Sequence, residues 1–517
     1  MEFIEAAGSL ATGPLVLLVV ALGIAFAFEC INGFHDTANA VATVIYTKSL
    51  RPTTAVVWSG IWNFIGVYAG GIGVAFSIVH LLPVDLLVDI RSGRGLAMVM
   101  ALLVSAITWN FATWYKGLPA SSSHALIGSI MGVGMMNAWL ERGSPLKGVN
   151  WHKVTEVITA LLVSPLVGFL AAAVLLWLCR SLIRSPALFK PPRGDQPPPW
   201  WVRGLLIGTC TGVSFAHGSN DGQKGMGLVM LILIGILPAT YALDPAGRDG
   251  DLAGALAAAR RLEGELARPE MAALMGALKE LHVANARVER LSRATALAEE
   301  ASVESARVHD ILHPLEGGDA VLATLDPLPV IDALAGTIGT ARSVADLPPD
   351  ARWRVRTGLV ELGTSVRTLV REFGHLLPKE RRDDLKSITR DLARPVEYVP
   401  SWVVLGVALC LGLGTMVGWE RIVVTVGEKI GKSHLSYAQG AVAELVAAST
   451  IGLADRFHMP VSTTHVLSSG VAGTMWADRA GLQRDTVRKI ALAWILTLPA
   501  VICLSGLLYW LATLAIA

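Results

Sequence analysis

Charge is scarce in this chain. Only 16% of its 517 residues are Asp, Glu, Lys or Arg, and they nearly cancel to a net +2. No basic stripe carries interleaved aromatics, so nucleic-acid binding has no footing. Cysteine is sparse as well. Cys30, Cys179, Cys210, Cys410 and Cys503 lie scattered in or beside apolar sequence without a CxxC spacing, which indicates neither a metal cluster nor a disulfide framework. Lysine and arginine are missing ahead of the first apolar stretch, where Glu2 and Glu5 stand instead. A cleavable signal needs a positive start, so that stretch is expected to persist as a helix, with the N-terminus outside.

Hydrophobic residues make up 53% of the chain. Windows with almost no charge run from Gly13 to Phe28, Pro52 to Leu82, Gly95 to Trp114, Val154 to Leu178, Gly204 to Ala216, Gly225 to Leu243, Trp402 to Trp419 and Ile490 to Ala517. Many approach the roughly 20 residues a membrane helix requires. The fold expected is an all-α polytopic membrane protein. The shorter windows flank recurring motifs, which fits broken or re-entrant helices packed inside protein. Basic clusters at Lys48/Arg51, Arg180/Arg184/Lys190/Arg193 and Arg479/Arg484/Arg488/Lys489 mark the cytoplasmic side.

Composition changes abruptly near Leu243 and returns near Pro400. Residues 244–399 are rich in Arg, Glu and Asp and hold no window able to span a bilayer. Met271, Leu274, Leu278, Leu281, Val288 and Leu291 recur mostly three and four residues apart, with Asn285 in the gap, which predicts an amphipathic helix or helical hairpin. A second helical run covers Trp353 to Phe373, and Asp326-Pro327-Leu328-Pro329 reads as a turn or linker between them. The insert contains no catalytic constellation. It reads as a solvated helical appendage or, more sharply, as a docking domain for a cytosolic regulator. A stiff stretch, 190–199, with five prolines among its polar residues, separates the first membrane block from the second. The organisation expected is a first membrane repeat (1–189), this linker, the start of a second repeat (200–243), the soluble insert (244–399) and the rest of the second repeat (400–517).

Two motifs occur twice. Gly33-Phe34-His35-Asp36-Thr37-Ala38-Asn39 is echoed by Gly218-Ser219-Asn220-Asp221-Gly222-Gln223-Lys224. Pro119-Ala120-Ser121-Ser122-Ser123-His124 is echoed by Pro460-Val461-Ser462-Thr463-Thr464-His465. Ionisable groups in such apolar surroundings are expensive and mark a transport pathway; their duplication suggests a repeated carrier with one central site. The glycines of the first pair are expected to break a helix and expose backbone groups beside the aspartate. One such aspartate alone would read as a helix cap, whereas two matched copies favour a ligand for a cation or proton. In the second pair, proline favours a helix start, where hydroxyls and unpaired N–H groups form an anion-binding device. A single hydroxyl row would again read as a cap.

A buried histidine is often only a hydrogen-bonded core residue. An imidazole side chain ordinarily titrates near physiological pH, which makes His35, His217, His124 and His465 candidates for proton coupling, His35 foremost. Lys224 stands where Asn39 stands in the first copy, placed to offset the charge of a bound anion or neutralise Asp221. Glu29, Glu420 and Glu444 are weaker candidates. No cofactor and no resident metal is indicated.

At these residues the sequence resembles the inorganic phosphate transporter (PiT) family, its bacterial low-affinity members above all. The runs that carry the likeness are Asn32–Thr47, Gly117–His124, Phe215–Gly225 and Pro460–His465. The resemblance implies an inverted-repeat carrier of about twelve membrane segments in the plasma (inner) membrane, a cytoplasmic insert and a homodimer. Phosphate would be held by Asn39, Asn220, Ser121, Ser122, Ser123, Ser462, Thr463 and Thr464, with Asp36 and Asp221 beside it. Sodium-coupled members carry a pattern like G-A-N-D-V-A-N in both copies; here His35 replaces Asn, and Gln223-Lys224 replaces Ala-Asn. Imidazole and ammonium are poor sodium ligands, which favours proton coupling, with phosphate travelling as a neutral divalent-metal complex as one form of the cargo. The competing readings are a sodium-coupled symporter, a carrier of another oxyanion such as sulfate, a membrane enzyme acting on phosphorylated lipids, and a receptor signalling through the insert.

Overall fold

The computed structural model describes residues 2–79, 93–149, 151–192, 197–248, 250–269, 271, 328–339, 341, 343–457, 459 and 461–516. The helices are α1 (Glu2–Gly8), α2 (Thr12–Tyr46), α3 (Pro52–Ala69), α4 (Gly73–Val79), α5 (Gly93–Tyr115), α6 (Ser122–Arg142), α7 (Trp151–Leu182), α8 (Trp200–Ile236), α9 (Pro238–Tyr241), α10 (Asp251–Leu266), α11 (Leu328–Ile338), α12 (Pro349–Phe373), α13 (Lys379–Ala393), α14 (Ser401–Thr415), α15 (Glu420–Glu428), α16 (Tyr437–Arg456), α17 (Thr463–Ala477) and α18 (Arg484–Ile516). The chain separates into two compact units, one of Phe3–Ile236 with Val399–Ala517 and one of Leu237–Tyr398.

In the first unit, four described helices are long and apolar enough to cross a membrane: α2, Ala97–Tyr115 within α5, Ile158–Leu182 within α7, and Arg484–Ala515 within α18. Taking α14 and α15 as one span bent by 64° makes five. Exposed Trp, Leu, Ile and Val side chains along α7 and α18, such as Leu162, Trp177, Ile495 and Leu511, suit contact with lipid rather than water. This is an integral membrane protein.

Its packing repeats. α3 packs on α8 while α14 packs on α2; α6 packs on α18 while α17 packs on α7. Each motif-bearing helix is thus clasped by a helix from the other half of the chain. The directions of α2 and α8 follow from three contacts. Glu29 abuts Gly225, Asp36 faces His217, and Thr43 and Thr209 both reach Glu444. As the numbers rise along α2 they fall along α8, so the two helices run antiparallel.

The expected breaks at Gly33, Gly218 and Gly222 are absent. α2 and α8 continue through both motifs as helices of 35 and 37 residues. The glycines serve close approach instead. A methyl group on Gly33 would collide with the carbonyl oxygen of Leu411, and one on Gly218 with that of Asn63. Gly414 and Gly66 make the reverse contacts, against the Cys30 and Phe215 carbonyls. Small residues at crossings bring membrane helices together where no hydrophobic force acts between them. The interruptions lie elsewhere, at the starts of α6 and α17 and at the α14–α15 bend.

The second unit packs α10, α11, α12 and α13 around Leu252, Leu262, Ile331, Leu334, Leu359, Ile388 and Leu392. Trp353 to Phe373 falls within α12, as its periodicity predicts. Pro329 enters α11 at its first turn, where proline is tolerated. Of the predicted stripe, Met271 is buried in this core; Leu274 to Leu291, like Asp326 and Pro327, lie outside the described residues. Half-buried Arg356 donates to the carbonyls of Ala242 and Val396, both at 3.0 Å, tying the two ends of the unit together. Burial lowers its guanidinium to about 10, so it stays charged at neutral pH.

Candidate functional site

Asp36 lies on α2 and Asp221 on α8, each almost wholly buried. The antiparallel crossing of the two helices brings them to the same level. His217, one turn before Asp221 on α8, lies between them, its Nε2 at 3.7 Å from Asp36 Oδ2 and 3.5 Å from Asp221 Oδ2. Its Nδ1 pairs with Asn63 Oδ1 at 2.7 Å. One donor atom from each of Asp36, His217 and Asp221 lies within 4.8 Å of the other two.

The hydroxyl rows arrive from two separate helix starts of matching geometry. Ser121 is the N-cap of α6 and Ser462 that of α17, with φ/ψ of −98/115 and −92/107. The Ser121 hydroxyl accepts from His124 N, and Ser462 from His465 N, both at 3.2 Å. The residues after each cap turn towards the acids. Ser122 donates to Asp36 Oδ2 at 3.2 Å, Thr463 to the same oxygen at 3.5 Å, and Thr464 to Oδ1 at 2.7 Å. Asn39 Nδ2 donates to Thr464 Oγ1 at 3.0 Å, leaving Asn39 Oδ1 without a partner. Ser123 turns to the second copy, where Lys224 Nζ donates to its hydroxyl at 2.5 Å and to Asp221 Oδ1 at 2.5 Å. First-turn hydroxyls of two helices therefore face one buried, charged cluster.

Not every candidate joins it in the same way. His35 Nδ1 pairs with Asp36 Oδ1 at 3.1 Å and its Nε2 with Thr113 Oγ1 at 3.2 Å. His124 and His465 instead stack on each other, ring centroids 4.6 Å apart, and His465 on Trp494 at 4.0 Å. His124 Nδ1 and His465 Nε2 have no hydrogen-bond partner. Asn220 reaches Met459 O at 3.4 Å and leaves Oδ1 unpartnered. Pro460 lies outside the described residues. His217, a proton-coupling candidate from its place just ahead of the second motif, lies between the two aspartates, a position the sequence alone did not assign. Its signal was available, since residues four apart on a helix share a face and His217 stands four before Asp221. Asp455 was missed too; it accepts from Ser219 and Gln223, both at 2.6 Å.

The phosphate transporter family model matches residues 32–505. The chain belongs to the phosphate transporter family. The low-affinity inorganic phosphate transporter PitB of Escherichia coli (strain K12) is 42% identical over 509 residues, covering 96% of this chain and 97% of the relative. The low-affinity inorganic phosphate transporter of Buchnera aphidicola subsp. Acyrthosiphon pisum (strain APS) is 38% identical, with 96% of each covered. A solved structure titled the sodium-dependent phosphate transporter matches with a TM-score of 0.51 at 20% identity, covering 96% of this chain and 99% of that one. At that identity the match concerns the fold. All four duplicated motifs fall inside the matched span.

Proposed function

We propose that the protein imports inorganic phosphate by proton-coupled alternating access, with one central site shared by two inverted repeats. The observation that carries this is the convergence of both hydroxyl rows, from opposite halves of the chain, on the single carboxylate Asp36. The antiparallel α2 and α8 and the exchanged helix partners support the inverted repeat. In this state Asp36 holds the positions an anion would take. Phosphate entry requires Ser122, Thr463 and Thr464 to turn from Asp36 to phosphate oxygens. Ser123, Asn39, Asn220 and Lys224 complete the anion's donors, and Ser121 and Ser462 hold the two helix starts that face it.

Stripped of its hydroxyls, ionised Asp36 would repel the arriving dianion at close range. A proton on the Asp36/Asp221 cluster removes that cost; His35 is the nearest shuttle, and the stacked His124 and His465 are further acceptors. A divalent cation travelling with phosphate would offset the same charge. Lys224 already fills the place beside Asp221 with a fixed positive charge, which disfavours sodium there. The Leu237–Tyr398 unit is proposed as a cytoplasmic appendage for a regulator, and the assembly as a homodimer.

Proteoliposomes given a pH gradient and a sodium gradient separately test the reading. An acid exterior should drive phosphate accumulation, protonophore should abolish it, and sodium should leave it unchanged. Sodium-driven accumulation without a pH gradient would overturn proton coupling, and sulfate competing as well as phosphate would overturn the substrate.

A further inference from the structure

We propose that Glu29 carries the coupling proton: a second, separate protonation site one helical turn from the Asp221 cluster, loaded in the closed state and emptied when water reaches it. This rests on the proton-coupled reading above and adds a residue to it. Glu29 is fully buried on α2, and neither of its carboxyl oxygens has a hydrogen-bond partner. It is seven residues before Asp36, about 10 Å along the helix axis. Its side chain abuts Gly225 on α8, at a position where any side chain on α8 would displace it. Gly225 is one residue past Lys224 and one turn past Asp221.

An ionised carboxylate deprived of donors at such a place is strongly disfavoured, so the surroundings accept only the neutral acid. The neighbourhood explains what the group can do. From α8 it is faced by Asp221, Lys224 and His217, and from its own helix by Asn32. From α14 the titratable group within its reach is the Cys410 thiol. Glu29 forms no hydrogen bond or ion pair with Asp221, Lys224 or His217. It is coupled to the cluster by charge alone. Its contrast with the other buried acid, Glu444, is instructive: both Glu444 oxygens are engaged, by Thr43 and by Thr209. Glu444 is a settled structural acid, whereas Glu29 is left unanchored beside the site.

The chemistry is a single proton exchange. On the entry side the Glu29 carboxylate takes a proton from hydronium and leaves water; on the exit side the carboxyl O–H bond breaks and the proton passes to water, forming hydronium. Loaded, Glu29 is neutral and the Asp221–Lys224 pair can accommodate an anion. Emptied, it adds a negative charge one turn from Asp221 and helps expel phosphate. Linkage makes this reciprocal, so bound phosphate also favours the loaded form.

The test uses the full-length protein in proteoliposomes with Glu29→Gln, a fixed neutral mimic of the loaded acid. Two assays run side by side: accumulation driven by a pH gradient, and exchange of labelled for unlabelled phosphate at equal pH. Glu29→Gln should keep exchange within about twofold of wild type and lose gradient-driven accumulation by about tenfold or more, inside the ordinary range of coupling between two ligands. Trapped pyranine should report acidification with phosphate uptake in wild type and none in the variant. Gradient-driven accumulation by Glu29→Gln at the wild-type level would overturn the proposal and leave proton coupling standing. Absence of gradient-driven uptake in wild type would instead sink the proton reading itself. If Glu29→Gln loses both assays, Glu29→Asp decides: restored accumulation with a shifted pH profile supports a titrating role, and no restoration, or an unshifted profile, refutes it.

Discussion

The two copies of the site share a backbone plan and differ in chemistry. Around Asp36 the first copy gathers neutral donors, the hydroxyls of Ser122, Thr463 and Thr464, and one imidazole. Around Asp221 the second copy places a lysine at 2.5 Å and leaves Oδ2 without a hydrogen bond. Symmetry therefore accounts for where the groups meet, and its failure accounts for what they do. One carboxylate occupies a cradle of hydroxyl donors. The other is tied to a fixed cation.

The largest expected effect comes from removing the first carboxylate. Asp36→Asn turns one of the two accepting oxygens into an NH2 donor and removes the charge that a proton must neutralise. Coupling between two ligands reaches about 3 kcal/mol, so losing the proton that accompanies phosphate should lower uptake by about a hundredfold. Initial rates of labelled phosphate uptake measure it. Asp36→Asn with near-normal proton-driven uptake would remove Asp36 from the mechanism.

Next is a substitution that erases the difference between the copies. Lys224→Asn gives the second motif the residue that Asn39 supplies in the first. If Lys224 contacts phosphate, the apparent KM should rise by about tenfold, the worth of one charge-assisted bond, with kcat less affected. If it is only the counter-ion of Asp221, KM stays and the protein loses thermal stability instead. Titrating uptake against phosphate concentration separates the two.

The duplicated motifs were enough to read the convergence of four short segments from the chain alone. Polar groups repeated in apolar sequence have little other reason to exist. The role of the glycines was not legible. A glycine that breaks a helix and one that lets two helices touch look the same in one dimension; Gly33 and Gly218 proved to be the second kind. His217 was visible as a proton-coupling candidate, but its place between the two aspartates follows only once the helix is known to continue through the motif. Asp455 could not have been found, since its partners Ser219 and Gln223 lie more than 230 positions away. The insert was legible as a separate helical segment because its composition changes so sharply, and its half-buried Arg356 has carbonyl partners where the membrane unit leaves Glu29 without any.

Where the copies agree, substitutions should agree. Gly33→Ala and Gly218→Ala each press a methyl group onto a backbone carbonyl that cannot rotate away. Overpacking of this kind costs about 1–3 kcal/mol. Thermal unfolding in detergent should show similar losses for the two variants, and a loss confined to one would mean that only one crossing is rigid.

The smallest effect belongs to the caps. Ser121 and Ser462 spend their hydroxyls on His124 N and His465 N at the same 3.2 Å. Replacing an N-cap serine by alanine costs about 1 kcal/mol, so Ser121→Ala and Ser462→Ala should each lower thermal stability slightly and by equal amounts. Their effect on uptake then depends on what the hydroxyl does in the transport cycle. If it remains a cap throughout, phosphate KM changes by less than about threefold, because the neighbouring Ser122, Ser123, Thr463 and Thr464 keep their donors. If it leaves the cap to hold phosphate, the bound state loses a donor that the empty state never offered, and KM rises with little change in stability. Measuring both quantities on both variants tells a cap from a ligand, and unequal results would place the anion nearer one helix start than the other.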